Sequence, residues 1–161
     1  MENPQPFNQS DATQIFVFRY RWINSSKRSF LTGAWLRTYE NTPFFWSCFA
    51  HVLAKGQNKY PHFKNYCRNI CLLTPFEHHL YDNGTAEARI TYSQEVEEAS
   101  GGKIKADWGK LEALGEELKE EYRKYFPTRR GLIIGYKYSL DEVAKIIGAL
   151  NKKYIADLRG Q

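Results

Sequence analysis

A chain of 161 residues fits one domain, or a small module with appended helices, and can bury a core without disulfide staples. Its 11 tyrosines and 10 phenylalanines bring aromatics to 16 %, and mean hydropathy is −0.61, so the expected core is built on rings beneath a charged surface. A net charge of +5 and a pI near 9.0 lean mildly toward a polyanionic partner; no apolar run approaches the roughly 18 residues of a transmembrane span, and no charged-then-apolar leader is seen.

Residues 1–12 are polar and proline-containing, and read as a frayed leader. Residues 13–22 (TQIFVFRYRW) are β-branched and aromatic with partial alternation, which predicts a strand. Asn24-Ser25-Ser26 interrupts it, and Phe30 to Tyr39 suits a second strand or a short helix equally. Pro43, Gly56, Asn58 and Pro61 break up residues 43–74, so short strands among loops are expected there. Thr74-Pro75-Phe76-Glu77 is a strong helix start: a capping threonine, proline at the first helical position and glutamate closing a capping box. Asn83-Gly84 ends that helix after about two turns.

Residues 94–106 read as an exposed linker with Ser100-Gly101-Gly102 as its most flexible point. Trp108, Leu111, Leu114, Leu118 and Tyr122 recur at helical spacing over 106–126, and Pro127 stops that helix. Residues 131–138 (GLIIGYKY) suit a short strand, and Ser139 with Glu142 opens a last helix to about Leu158. Basic residues predominate in the first seventy positions, whereas 111–122 is acidic. The expected organisation is a leader (1–12), a β-rich extension with a core (13–93, motif 46–84), then a linker with C-terminal helices (94–161).

Chemistry concentrates in His51, Asn69, His78 and Asp82. His78 and Asp82 are one turn apart on the capped helix, so both project from one face and can hold a divalent cation from a rigid platform. As an isolated pair they would be ordinary surface decoration; the histidine, asparagine and capped helix around them raise the reading. Asn69 precedes the apolar run Ile70 to Leu73, read as a buried strand, and its amide can brace the loop that carries His51.

The segment FAHVLAKG followed by YPHFKNYCRNICLLTPFEHHLYDNGT resembles the HNH, or ββα-metal, nuclease motif, over roughly a quarter of the chain. The resemblance implies an α+β fold with a ββα-metal core, an N-terminal β-rich extension and two C-terminal helices packed over it. It implies a metal-dependent endonuclease acting on DNA: His51 activates the attacking water, Asn69 orients its loop, and His78 with Asp82 ligates the cation. Magnesium or manganese suits a His–Asp–water set, with zinc or nickel tolerated. Lys55-Gly56 matches a Lys-Gly pair common after the first histidine, though it arrives early. Ala50 stands where many members carry an Asp or His ligand. That departure leaves a second reading open, a catalytically silent module binding nucleic acid or a protein partner. Small proteins of this family are common in bacteriophages and mobile elements, which implies a bacterial cytoplasm as the setting.

The remaining candidates divide between contact and packing. His79 is better placed for a phosphate than for the cation, and His62 reads as a loop residue. Arg19, Arg21, Lys27, Arg28 and Arg37 interleave with Tyr20, Trp22 and Trp35, as phosphate contact with base stacking requires, and equally as an amphipathic strand pair does. Arg19, Arg21, Lys55 and His79 are the expected DNA contacts. Cys48, Cys67 and Cys71, with His51, offer a third reading as a structural zinc site, although three cysteines without a signal segment read first as buried reduced thiols.

Overall fold

The structure, a computed structural model, describes residues 12–38, 42–56, 59–127 and 138–159. The order is α1 (Ala12–Ile23), a single turn α2 (Pro43–Trp46), β1 (Phe49–His51), two 3₁₀ turns (Pro61–Phe63 and Cys67–Asn69), β2 (Ile70–Leu72), α3 (Pro75–Asn83), α4 (Ala86–Ala99), α5 (Trp108–Tyr125) and α6 (Leu140–Arg159). The class is α+β, helices gathered about one small antiparallel sheet.

That sheet divides the core. β1 pairs with β2 in the register Phe49↔Leu72, Ala50↔Cys71 and His51↔Ile70. Alternation along a strand sends neighbouring side chains to opposite faces. Ala50 and Cys71 accordingly join a cluster with Phe63, Leu111, Leu118, Tyr122, Ile147 and Leu150. Phe49, Ile70 and Leu72 join the other, with Val17, Phe18, Trp22, Phe45 and Trp46. Rings dominate this second cluster, as the composition implied: Phe18 stacks on Phe49 at 4.6 Å and Trp22 meets Phe45 edge-on at 5.1 Å. Each such ring contributes on the order of 2–3 kcal/mol on burial, before the entropy of ordering it.

Residues 13–22 are helical, not the strand their composition predicts. Val17 and Phe18 are both 4 % exposed. A half-buried strand would send them to opposite faces, whereas a helix lays Gln14, Val17, Phe18 and Trp22 along one stripe. Tertiary burial outweighs β-propensity here, and the expected β-rich extension is a helix. Residues 28–35 form turns with one bridge, Arg28↔Trp35, neither of the two elements considered for Phe30 to Tyr39.

The expected linker is also partly helical, since α4 runs to Ala99 before Gly101 and Gly102 turn the chain at positive φ. α4 buries no residue, so its sequence carries no apolar stripe to betray it. It is held by the half-buried Tyr92, which packs against the core and on Phe76 at 5.3 Å, and by polar bonds. Arg89 donates to the Leu80 and Tyr81 carbonyls at the end of α3, at 3.2 and 2.8 Å, and Trp108 Nε1 donates to Ser93 at 3.0 Å. α5 and α6 form where their periodicity places them, and Ser139 Oγ accepts from the Glu142 amide at 3.1 Å. Residues 131–137, most of the short strand expected over 131–138, lie outside the described residues, as does nearly all of the expected leader.

Candidate active site

α3 begins as its sequence dictates. Thr74 Oγ1 accepts from the Glu77 amide at 3.1 Å, and Glu77 Oε1 accepts from the Thr74 amide at 2.9 Å. Glu77, with no exposed surface, does more than cap. It also accepts from Ser29 (2.6 Å), Thr32 (3.0 Å) and Tyr92 (2.6 Å). The start of α3 is thus tied to the 28–35 turns and to α4. Gly84 ends α3 with φ −78, so no left-handed cap is used there. Glycine is needed because a Cβ would lie 2.5 Å from the Leu80 carbonyl oxygen.

On this fixed helix His78 Nε2 and Asp82 Oδ2 lie 3.0 Å apart. His78 Nδ1 donates to the Ser47 carbonyl at 2.8 Å, which leaves Nε2 as the nitrogen facing Asp82. Burial alone would lower the His78 pKa; hydrogen bonds to Asp82 and Ser47 outweigh it and hold the pKa above its ordinary value.

His51 ends β1 on the α1 side of the sheet, its ring 5.9 Å from that of Phe18. Its Nε2 lies 2.9 Å from the Lys64 carbonyl oxygen, which can only accept. The proton therefore sits on Nε2, and Nδ1 keeps its lone pair. Among the described residues no hydrogen bond to Nδ1 is found, and the ring lines a cleft. Burial is the main cause pushing the His51 pKa down to about 4, with the Lys64 carbonyl bond opposing it.

Asn69, wholly buried, holds the chain that follows His51. Its Oδ1 accepts from the Leu53 amide at 2.8 Å, and its Nδ2 donates to the carbonyls of Leu53 (3.1 Å) and Phe63 (3.2 Å). Tyr81 adds a hydrogen bond from its hydroxyl to the Val52 carbonyl. Asn151 of α6 braces the far side of the loop, accepting from the Cys67 amide at 2.7 Å and donating to the Asn65 carbonyl at 3.0 Å. The carbonyl that orients His51 thus lies in a segment held by Asn69 and by the C-terminal helix.

His51, His78 and Asp82 line one cleft of about 980 Å³, together with Lys55 and His79. Trp46 forms part of its wall, and Arg19 sits over that ring at 5.8 Å. Arg21 is placed differently: its Nε donates to the Ile70 carbonyl at 3.0 Å, so it fastens α1 to β2. The cysteines are core. Cys48 Sγ donates to the Phe44 carbonyl at 3.3 Å, and Cys71 lies in the opposite cluster from Cys48 and Cys67. Burial pushes the Cys48 and Cys71 thiols up to about 12 and Cys67 up to about 11.

Among the described residues no three His, Cys, Asp or Glu side chains converge as a ready-made metal set. Ala50 is wholly buried on the face opposite His51, in the register of Cys71, so no third ligand comes from that position. His78 and Asp82 nonetheless suit a cation. Their 3.0 Å contact is that of a hydrogen-bonded ion pair, and the same two atoms would be the ones to hold a divalent cation, which readily keeps water as further ligands. Four participants were invisible in the sequence: Gln14, Tyr81 and the carbonyls of Ser47 and Lys64. Backbone acceptors have no residue signature, and Gln14 sat in a segment read as strand. No family model matches the chain, and no curated protein or solved structure matches it either.

Proposed function

We propose that this chain is a metal-dependent endonuclease of the HNH type, with a ββα-metal core formed by β1, β2 and α3, hydrolysing phosphodiester bonds in DNA. One observation carries the reading: the open Nδ1 of His51 belongs to a ring lining the same cleft as the His78–Asp82 pair. His78 Nε2 and Asp82 would hold the cation, with the Ser47 carbonyl fixing the histidine. A bound divalent ion, magnesium or manganese by preference and zinc or nickel by tolerance, supplies charge neutralisation at the phosphate and the leaving oxygen.

The chain's own residues do the rest. His51 Nδ1 takes the proton of the attacking water while the Lys64 carbonyl retains the proton on Nε2. With its pKa near 4 the ring is neutral throughout the physiological range, at the expense of intrinsic basicity. Asn69 keeps the Leu53 segment in place, and Lys55 and His79 lie on the cleft where a phosphate would pass. Removing such a base typically costs about 10²–10⁴-fold in rate.

Ala50 supports a second reading, a module that binds nucleic acid without cutting it, because it leaves the cation two protein ligands. Incubating supercoiled plasmid with wild type, His51→Ala and His78→Ala, in magnesium, manganese, nickel or EDTA, separates the two. Metal-dependent nicking lost in both variants is the result expected of the nuclease. Folded wild-type protein that binds DNA and fails to cut it with any of these metals would establish the silent module.

A further inference from the structure

One contact at His51 is not used by the reaction as described. Gln14, on α1 and 1 % exposed, places its side-chain Nε2 at 3.1 Å from His51 Nε2, the ring atom that faces the Lys64 carbonyl at 2.9 Å. A single ring nitrogen cannot accept from the amide and donate to the carbonyl together. The carbonyl has no alternative role. The amide does, because a half-turn of its end group exchanges nitrogen for oxygen within almost the same shape. With Oε1 toward the ring, both neighbours become acceptors of one shared proton.

We propose that Gln14 is a positioning residue: its side-chain oxygen shares the Nε2 proton of His51 with the Lys64 carbonyl. α1, which lies outside the strand–loop–strand–helix unit, thereby helps to decide which nitrogen of the base is left open. The inference deepens the nuclease reading and rests on it for its catalytic consequence. Two features of α1 support it. Phe18, one turn further along, packs its ring 5.9 Å from the imidazole, so the helix is registered against His51 by packing as well. Gln14 is also buried, so its amide needs hydrogen-bond partners, and the His51 ring is one within reach.

The test is ¹⁵N NMR of the histidine-labelled, metal-free full chain, with single-turnover cleavage alongside. In wild type the His51 shifts should report the proton on Nε2. Gln14→Leu should move part of the population to the Nδ1–H form and lower kcat about tenfold with KM unchanged. Gln14→Glu, a side chain that accepts and does not donate when ionised, should retain the Nε2 proton. A wild type protonated on Nδ1 would overturn the proposal, as would a folded Gln14→Leu protein with unchanged tautomer and kcat. If wild type cleaves nothing, the nuclease reading fails by itself, because the tautomer is read without cleavage.

Discussion

His51 and His78 sit in one cleft but are driven in opposite directions by their surroundings, with opposite consequences for stability. The folded His51 pKa, about 4, lies below its unfolded value near 6.5. Its neutral burial therefore contributes fully above about pH 6.5, and that contribution is lost as pH falls toward 4. A shift of this size corresponds to on the order of 3 kcal/mol. The folded His78 pKa is raised, so its contribution is present below its unfolded pKa and is lost as pH rises through the folded one. Urea unfolding of metal-free wild type and His51→Gln between pH 4 and 7 checks the first of these. The variant should lose less stability than wild type across that range; parallel curves would show that His51 is not held neutral by burial.

At the scale of elements, the site depends on where α3 begins. Glu77 accepts four hydrogen bonds there with no exposed surface, so Glu77→Ala orphans the Ser29, Thr32 and Tyr92 hydroxyls as well as the Thr74 amide. A loss of roughly 3–5 kcal/mol is expected, with Tm lowered in calorimetry; a shift like that of an exposed cap, about 1 kcal/mol, would contradict the clamp. The capping box made this start legible in sequence, and the amphipathic repeats made α5 and α6 legible, because local chemistry and helical period both leave a residue pattern. α1 and α4 were not legible for different reasons. The β-branched and aromatic residues of α1 are helical because two adjacent side chains must be buried on one side. α4 has no fully buried residue, and its half-buried face, Ala88, Arg89, Tyr92, Ser93 and Val96, is too polar to read as an apolar stripe. Helical spacing puts His78 and Asp82 on one face of α3 and the resemblance adds His51 and Asn69, whereas the contacts that orient them are mostly to backbone carbonyls, which no sequence pattern announces.

Charge is unevenly spread along the described residues. Residues 12–38 contain five Lys or Arg and no Asp or Glu, and Arg19 reaches the cleft wall at Trp46. The acidic α5 is partly occupied internally, Glu117 and Glu121 pairing with Arg68 at 3.5 and 3.3 Å. No helix among the described residues is long and apolar enough to cross a membrane. On the proposed nuclease reading, Lys55 on the cleft would meet a phosphate. Lys55→Ala should weaken duplex binding alike for all sequences, and should reduce the slope of log K against log salt by about 0.9. Fluorescence anisotropy at several salt concentrations measures both, and an unchanged slope would remove Lys55 from the interface.

The proposed role of His51 as base is open to chemical rescue, in which an imidazole from solution stands in for the missing ring. Single-turnover nicking of supercoiled plasmid with magnesium is compared for wild type and His51→Ala, each with and without added imidazole. The variant should be slower by about 10²–10⁴-fold, and free imidazole should restore part of that loss while leaving wild type unaffected. Cleavage by His51→Ala at the wild-type rate would show that His51 is not the base.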